Sequence, residues 1–316
     1  MKSKRRDKGA NRYLIIAAVL ALVSAGSGIL LFRELKQTKQ EAETFAELSA
    51  LRLPRSEASA KPTDRPAPIQ IVIPTDMTKE DRSAANADSA GTPAEGIPET
   101  IEAAPEEKTT PTEEVQAAET HSDPVPLERY QPLFELNHDF FGWITIPDTR
   151  VDYPVMYNAK NPLAYLGHDF YGNFSYAGVP FLDSNCDPNG DFYLVYGHKM
   201  NDGSMFADLV VYKDRSFWET HRTFSFDTLY EERTYEVVMA IKARVLDRDE
   251  KNGFRYYNYA SLDTEAEFDD YIDQARKLSC YDTGIEPVYG DELLVLSTCY
   301  HYTQNGRFVL IARRVG

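Results

Sequence analysis

Short apolar runs, either alternating or continuous and separated by polar turns, fill the chain from about residue 127 onwards. Their length and their content of Val, Ile, Tyr and Phe are typical of β-strands. Eight runs fit this description: FFGWITIP, VDYPVMY, VPFLD, FYLVYGH, FSFDTL, YEVVMAIKARVL, LLVLSTC and RFVLIAR. Because a sheet of this size has exposed edges unless it closes on itself, the pattern predicts a mainly β fold, a closed barrel of about eight strands.

Helical periodicity is limited to two segments of this region. The segment LERYQPLFELN predicts an N-terminal helix at the start of the folded domain. From Glu265 to Cys280, the residues Phe268, Ile272, Ala275 and Leu278 share one face, which predicts a long helix. This helix comes directly before the LLVLSTC strand, so the expected fold is a barrel with two added helices.

An uncharged run of 20 residues, 13–32, is long enough to cross a bilayer core, which is about 30 Å thick. The basic segment 1–12 precedes it, so the positive-inside rule predicts a cytoplasmic N-terminus and an extracellular remainder. The alternative is a cleaved signal peptide, because Val-Ser-Ala at 23–25 resembles a cleavage site. The apolar run continues past that tripeptide, which favours an uncleaved transmembrane helix.

Residues 33–125 divide into two parts. RELKQTKQEAETFAELSAL, at 33–51, is rich in helix formers and predicts a short juxtamembrane helix, with a coiled coil left open. From Pro54 to about Pro124 the chain is rich in Pro, Ala, Glu, Thr and Ser and poor in aromatics. Such a composition buries too little apolar surface to offset the entropy of ordering. We therefore expect a disordered acidic stalk between the membrane and a folded domain at 126–316.

The net charge of the chain is −16, and it is unevenly distributed. Residues 1–32 carry +5, residues 33–125 carry −9 and residues 126–316 carry −12. An acidic folded domain argues against nucleic-acid binding, because polyphosphate is repelled. No cluster of Asp and Glu has the loop spacing of a calcium site, so we expect no metal and no cofactor.

Three cysteines are present, which leaves at least one unpaired thiol within the chain. Cys299 ends a buried apolar run, so its thiol is expected at the barrel mouth. A lone cysteine in such a place is more often a small buried hydrophobe than a nucleophile. Nothing in the sequence places Cys186 and Cys280 within reach of each other, so free thiols are favoured and a disulfide is left open.

Two other residues change the interpretation of Cys299. His198 ends the run FYLVYGH, and a cysteine with a histidine is the minimum for an activated thiolate. Arg307 opens the run RFVLIAR, and the preceding Asn-Gly turn predicts a hairpin that returns it to Cys299. A guanidinium there can lower the thiol pKa, hold a carbonyl or stabilise an oxyanion. His301, two residues after Cys299, competes with His198 for the role of acid.

Together these segments resemble the sortase family. LSTC followed by NGRFVLIAR resembles a signature in which a strand-end Thr-Cys is followed by a strand-start Arg. YGHKMNDGSMFADL and FGWITIPDTRVDYPVMY resemble the histidine segment and the opening hairpin of class B sortases. The resemblance covers about residues 130–316. It implies an eight-stranded barrel with His198, Cys299 and Arg307 as the catalytic set.

The resemblance also implies a membrane-anchored cysteine transpeptidase of Gram-positive bacteria. Such an enzyme cleaves a C-terminal sorting motif of secreted proteins through a thioester on Cys299. An amine of a cell-wall peptide precursor or a pilin lysine then resolves the thioester. Ser297 and Thr298 are the expected substrate-binding residues. One departure is that no carboxylate occurs among residues 300–302, which leaves open what orients His198.

Two alternatives remain at this point. A cell-wall cysteine peptidase or hydrolase of another fold expects the cysteine early, at a helix N-terminus, with the histidine later. Here His198 precedes Cys299, which ends a strand. The second alternative is a non-catalytic, membrane-tethered adhesion module with both residues in its core. Alkylation separates these classes, because a catalytic thiolate reacts rapidly and a buried thiol does not.

Overall fold

The computed structural model describes residues 36–55 and 124–316 of the chain. The predicted membrane span at 13–32 and most of the predicted stalk, residues 56–123, lie outside these ranges. Within the described ranges, no helix is both long and apolar enough to cross a lipid bilayer. Residues 36–55 and 125–316 belong to one compact unit.

Eight strands close into a barrel in the order β1-β2-β3-β4-β7-β8-β6-β5. Their bounds are β1 Phe140–Thr145, β2 Asp152–Met156, β3 Phe181–Leu182, β4 Phe192–Tyr196, β5 Thr223–Thr228, β6 Thr234–Arg244, β7 Leu293–Cys299 and β8 Gly306–Arg314. Each of the eight predicted runs overlaps one of these strands, and the prediction of a closed mainly β barrel is confirmed.

Parallel pairing of β4 with β7 decides where the site lies. These two strands are neighbours although two other strands and two α-helices separate them in sequence. Their carboxyl ends lie at the same end of the barrel, where Tyr196 is the register partner of Ser297. The β2–β3 pair is also parallel, and the other neighbours are antiparallel. The residues that follow β4 and those that end β7 therefore share one mouth of the barrel.

Aromatic rings fill the barrel interior. The ring centroids of Phe141, Tyr193 and Phe226, from three different strands, are between 5.8 and 6.3 Å apart. Since β4 does not neighbour β1 or β5 in the sheet, these rings meet across the interior. The barrel is therefore packed, and chemistry is confined to its mouth.

Helices cover the outside of the barrel. The α-helices are α1 (residues 36–51), α2 Gln131–Leu136, α3 Arg215–Thr220 and α4 Glu265–Arg276, with 3₁₀ segments at Glu128–Tyr130, Ala164–Leu166, Phe206–Lys213 and Tyr256–Asn258. The N-terminal helix and the long helix before the cysteine strand are confirmed. The sequence patterns did not predict α3 or the 3₁₀ helix before it.

The predicted end of α4 is wrong. The helix stops at Arg276, and Leu278, predicted to lie on the buried face, is 36% exposed. Beyond Arg276 the chain pairs with β6, because Cys280 donates its N–H to the Ala240 carbonyl and Ser279 forms a bridge with Ile241. Hydrogen bonds to the sheet therefore replace those that a longer helix would make.

The segment predicted as a juxtamembrane helix, α1, packs on the barrel wall. Phe45 and Leu48 are buried, and the Phe45 ring meets Tyr153 edge to face at 5.1 Å. Near the end of the helix, the Arg52 guanidinium lies over the Trp143 ring at 4.5 Å. This helix is thus part of the folded body.

Candidate active site

The hairpin connection between β7 and β8, residues 300–305, sets Cys299 beside Arg307. Cys299 is the last residue of β7, and its direct partner across the antiparallel ladder is Arg307. Asn305 in the turn has a φ of 55°, a left-handed conformation that Asn tolerates well. A Cβ at Gly306 would lie 2.2 Å from the carbonyl oxygen of Tyr300, so only glycine fits. The predicted hairpin is present, and the thiol and guanidinium side chains start from facing backbone positions.

His198 reaches the same mouth because its backbone is fastened to β7. Gly197, just after β4, donates its N–H to the Ser297 carbonyl at 3.1 Å. The Gly197 carbonyl accepts a hydrogen bond from the Thr298 hydroxyl at 2.8 Å. A Cβ at Gly197 would lie 2.6 Å from the Phe206 ring, so glycine lets that ring pack beneath the histidine segment.

A backbone carbonyl orients the His198 imidazole. Its Nε2 lies 2.8 Å from the carbonyl oxygen of Leu166. A carbonyl can only accept, so Nε2 carries the hydrogen and donates it. Leu166 ends the 3₁₀ helix Ala164–Leu166 in the connection between β2 and β3, which we name the cleft loop (residues 157–180). No carboxylate follows Cys299 at residues 300–302, and the Leu166 carbonyl of this loop orients His198 in its place.

An open cleft of about 380 Å³ collects the reactive groups at the barrel mouth. His198, Cys299 and Arg307 all line it, and Leu163 and Leu166 of the cleft loop form an apolar wall. Clefts of this size accept small ligands or a few side chains of a peptide. An extended segment can therefore lie along the apolar wall with one bond beside the thiol.

The positive charge of Arg307 remains available in this cleft. Its Nη1 donates to the carbonyl oxygen of Gly306 at 3.0 Å and to that of Asn305 at 3.4 Å. Both acceptors are neutral, so they orient the guanidinium and leave its charge in place. Such a group can stabilise a thiolate or a developing oxyanion.

The other two cysteines are less suited to nucleophilic attack. All three are free thiols, in agreement with the expectation for Cys186 and Cys280. Burial raises the pKa of the Cys186 thiol to about 12. Burial also raises the pKa of Cys280, which is half-buried. Of the three thiols, Cys299 is the one that lines the cleft.

Comparison with known proteins places this arrangement in a family. The family profile described as "Sortase domain" matches residues 144–315, more than half of the chain. The chain belongs to the sortase family. Sortase B of Listeria monocytogenes is 33% identical over 189 residues, covering 58% of this chain and 72% of that protein.

Solved structures of sortase B share the barrel of this sortase. A crystal structure of sortase B from Bacillus anthracis has a TM-score of 0.54 and 28% identity, over 61% of this chain and 86% of that one. A Staphylococcus aureus sortase B–substrate complex has a TM-score of 0.52 and 26% identity, over 59% and 84%. The protein is a class B sortase, a cysteine transpeptidase by family.

Two expected substrate-binding residues of the sortase line the cleft but use their hydroxyls within the protein. Ser297 and Thr298 are each 2% exposed. The Ser297 hydroxyl shares a hydrogen bond of 2.8 Å with the buried phenol of Tyr256. The Thr298 hydroxyl donates its hydrogen bond to the Gly197 carbonyl. These hydrogen bonds stabilise the end of β7, and contact of Ser297 and Thr298 with substrate stays a prediction.

The sequence patterns missed Tyr256 and Leu166. Tyr256 lies in the aromatic segment FRYYNY between β6 and α4, where no periodicity distinguishes it from its neighbours. Leu166 acts through its carbonyl, so its side-chain identity carries no signal. His301, the competing histidine, lies in the exposed turn after β7. Because the strand ends at Cys299, the alternation that would align the two side chains stops there.

Proposed function

We propose that this sortase cleaves a C-terminal sorting motif of secreted proteins and joins the new acyl end to an amine. The amine belongs to a cell-wall peptide precursor or to a pilin lysine. The observation that carries the proposal is the single cleft lined by His198, Cys299 and Arg307. A thiol, a proton carrier and a fixed positive charge are the groups that acyl transfer through a thioester requires.

Acylation begins when the Cys299 thiolate attacks the carbonyl carbon of the scissile bond. The electron pair of the carbonyl moves to its oxygen, and the Arg307 guanidinium stabilises the resulting oxyanion. As the intermediate collapses, the C–N bond breaks and His198, as imidazolium, gives its proton to the leaving amine. The products are a thioester on Cys299 and a free amine.

Deacylation reverses these roles with a different amine. The incoming amine attacks the thioester carbon, and His198 accepts the proton that the amine loses. The C–S bond then breaks, the Cys299 thiolate leaves, and a new amide is formed. The thioester conserves the free energy of the original peptide bond, so the cycle needs no nucleotide or other energy source.

A relative supports a peptide as the substrate. Sortase B of S. aureus has been solved as a substrate complex, and its barrel is shared by this chain. In this chain the apolar wall of Leu163 and Leu166 faces the same cleft as the thiol. The wall suits apolar side chains that flank the scissile bond.

The site of action follows from the N-terminal sequence. Residues 13–32 are uncharged and follow a basic segment, which is the pattern of a single membrane span with a cytoplasmic N-terminus. The catalytic domain then lies outside the cell membrane, where secreted proteins and cell-wall precursors meet it.

Mass spectrometry of the trapped acyl-enzyme tests the proposal. The full chain is incubated with peptides that carry candidate sorting motifs, with and without a glycine or lysine peptide as amine. We expect an acyl group on Cys299, its absence in Cys299→Ala, and a product that contains the added amine. A product formed only with water identifies a hydrolase, and an unmodified Cys299 with every peptide favours the adhesion module.

A further inference from the structure

The cleft loop is joined directly to α1. The Ser175 hydroxyl donates a hydrogen bond of 2.7 Å to the Glu41 carboxylate. The Ser175 hydroxyl oxygen also accepts a hydrogen bond of 3.0 Å from the Gly178 N–H. Ser175 itself is buried. The first half of α1 therefore lies beside the loop that carries the cleft wall and orients His198.

Contacts along α1 show the direction in which it crosses the barrel. Glu41, near its start, contacts the cleft loop, and Phe45 follows against Tyr153. Beyond its end, Arg55 pairs with Asp227 at 3.5 Å, near the turn between β5 and β6. The chain thus enters α1 on the side of the cleft loop and leaves it near the turn between β5 and β6.

Very little chain separates this entry point from the apolar run 13–32. Residues 33–35 can span at most about 14 Å, and Glu41 lies about 8 Å along the helix from its first described residue. The Glu41 backbone is therefore within about 22 Å of the end of the apolar run, and the contact with Ser175 lies one side chain beyond it. If 13–32 spans the membrane, as proposed above, the cleft loop lies close to the bilayer surface.

The surface of the cleft loop at this place is aromatic and nearly uncharged. Tyr171, Phe174 and Tyr176 are 47%, 64% and 66% exposed, and the last two rings meet edge to face at 4.8 Å. Residues 161–180 contain no Lys, Arg or Glu and a single Asp. That residue, Asp169, is half-buried, and its carboxylate accepts the N–H groups of Tyr171 and Asn173 within the same loop. On a chain of net charge −16, such a patch indicates an interaction surface.

We propose that Tyr171, Phe174 and Tyr176 lie in the interfacial layer of the lipid bilayer that holds the membrane anchor. Aromatic side chains favour this layer because their rings prefer the boundary between hydrocarbon and headgroups. The inference rests on the proposed anchor and adds an orientation to it. The catalytic cleft opens beside the membrane surface, because Leu163 and Leu166 of the same loop line it. Substrates are then met at the membrane and not at a distance from it.

Fluorescence in lipid nanodiscs tests this orientation. The full chain carrying Phe174→Trp is reconstituted into nanodiscs of phosphatidylglycerol and phosphatidylethanolamine, with or without bromine on the acyl chains. Val288→Trp is the matched control, because Val288 is 59% exposed and precedes β7, at the strand end opposite Cys299. The native Trp143 and Trp218 are buried and give the same background in both variants.

We expect the added emission of Phe174→Trp to shift to the blue in lipid and to fall about twofold with brominated lipid, since interfacial groups lie about 5–10 Å into the boundary. The added emission of Val288→Trp should show neither change. A Phe174→Trp chain that co-purifies with nanodiscs but is not quenched overturns the docking proposal and leaves the anchor standing. Equal quenching of both variants also overturns it, because no specific face then meets the bilayer.

Two other results separate the remaining explanations. A chain that does not co-purify with nanodiscs shows that the anchor itself is wrong, and the docking proposal fails with it. A blue shift of the Phe174→Trp variant in detergent that grows with protein concentration shows that a second copy covers the patch, which also overturns the proposal. Neither measurement uses turnover, so both are independent of the proposed transpeptidation.

Discussion

His198 donates a hydrogen bond of 2.8 Å from Nε2 to the backbone carbonyl of Leu166. In many cysteine and serine enzymes a third group orients the histidine, and here a neutral carbonyl occupies that position. A carbonyl does not titrate, so the orientation of His198 depends on the conformation of the cleft loop and not on the ionisation of a partner.

Replacing His198 by alanine should nearly abolish turnover. Without the imidazole, the leaving amine has no acid, and general acid–base help is worth about 10²- to 10⁴-fold. His301→Ala is the matched control and should lose less than about tenfold, because His301 lies in an exposed turn outside the strand. Steady-state kcat/KM with a sorting peptide measures both. An inactive His301→Ala beside an active His198→Ala would reverse the assignment of the acid.

Gly178→Ala should lower activity by moving the group that orients His198. A Cβ at Gly178 would lie 2.4 Å from the Tyr165 carbonyl oxygen and 2.9 Å from that of Leu166. Small displacements of positioning groups can cost up to about 10²-fold in rate. Gly172→Ala is the matched control on the same loop. Gly172 also has a positive φ, but a Cβ added there meets nothing within 4 Å.

Both glycine variants share the backbone strain, which is about 1 kcal/mol, and Gly178→Ala adds the clash with the two carbonyl oxygens, so denaturant unfolding should show the larger loss of stability in Gly178→Ala. Under conditions where both variants are folded, kcat should fall in Gly178→Ala and stay near the native value in Gly172→Ala. Equal kcat values in the two variants would show that the Leu166 carbonyl does not control His198.

Arg307→Lys should be severe although the charge is kept. The guanidinium is held by carbonyls of its own turn and presents further donors in fixed geometry. A lysine ammonium lacks this planar set of donors. Loss of one oxyanion donor lowers kcat by about 10²- to 10³-fold. Arg313→Lys, at the other end of β8, is the control, since Arg313 pairs with Glu236 on the outside of the site. A fully active Arg307→Lys would show that charge alone suffices.

Alkylation should distinguish the three thiols. Near neutral pH, iodoacetamide should label Cys299 first, because this thiol lines the open cleft. Cys186 should resist, since burial raises its pKa to about 12 and its thiolate becomes abundant only as the pH approaches that value. Cys280 should react slowly because burial raises its pKa. Peptide mapping by mass spectrometry gives the order, and early labelling of Cys280 would contradict it.

Leu48→Ala should destabilise the catalytic body, although residue 48 is far from the barrel in sequence. Leu48 is fully buried, and a Leu→Ala change in a core costs about 2–5 kcal/mol. Leu51, on the same helix, is 41% exposed, so Leu51→Ala should stay within about 0.5 kcal/mol. Urea unfolding of both variants measures the difference. Equal stabilities would mean that α1 does not pack on the barrel in solution.

The sequence alone determined the strands and half of the site. Each strand follows from a short apolar run, and the Cys299–Arg307 pair follows from one hairpin with an Asn-Gly turn. These are local features, because turn chemistry and alternation act over a few residues. His198 was singled out by its position at a strand end and by resemblance to a family segment, but neither gave its position beside β7, since parallel pairing of β4 with β7 has no local signature.

Only the tertiary structure decided what orients His198, where α4 ends and what α1 packs on. The Leu166 contact is made by a backbone carbonyl, which every residue has, so no side chain marks it. The end of α4 depends on β6 offering free hydrogen-bonding partners to residues 279 and 280. The packing of α1 joins residues about a hundred positions apart, such as Ser49 and Asp152. Such contacts depend on the folded surfaces that meet, and a periodic pattern within one segment does not specify its partner.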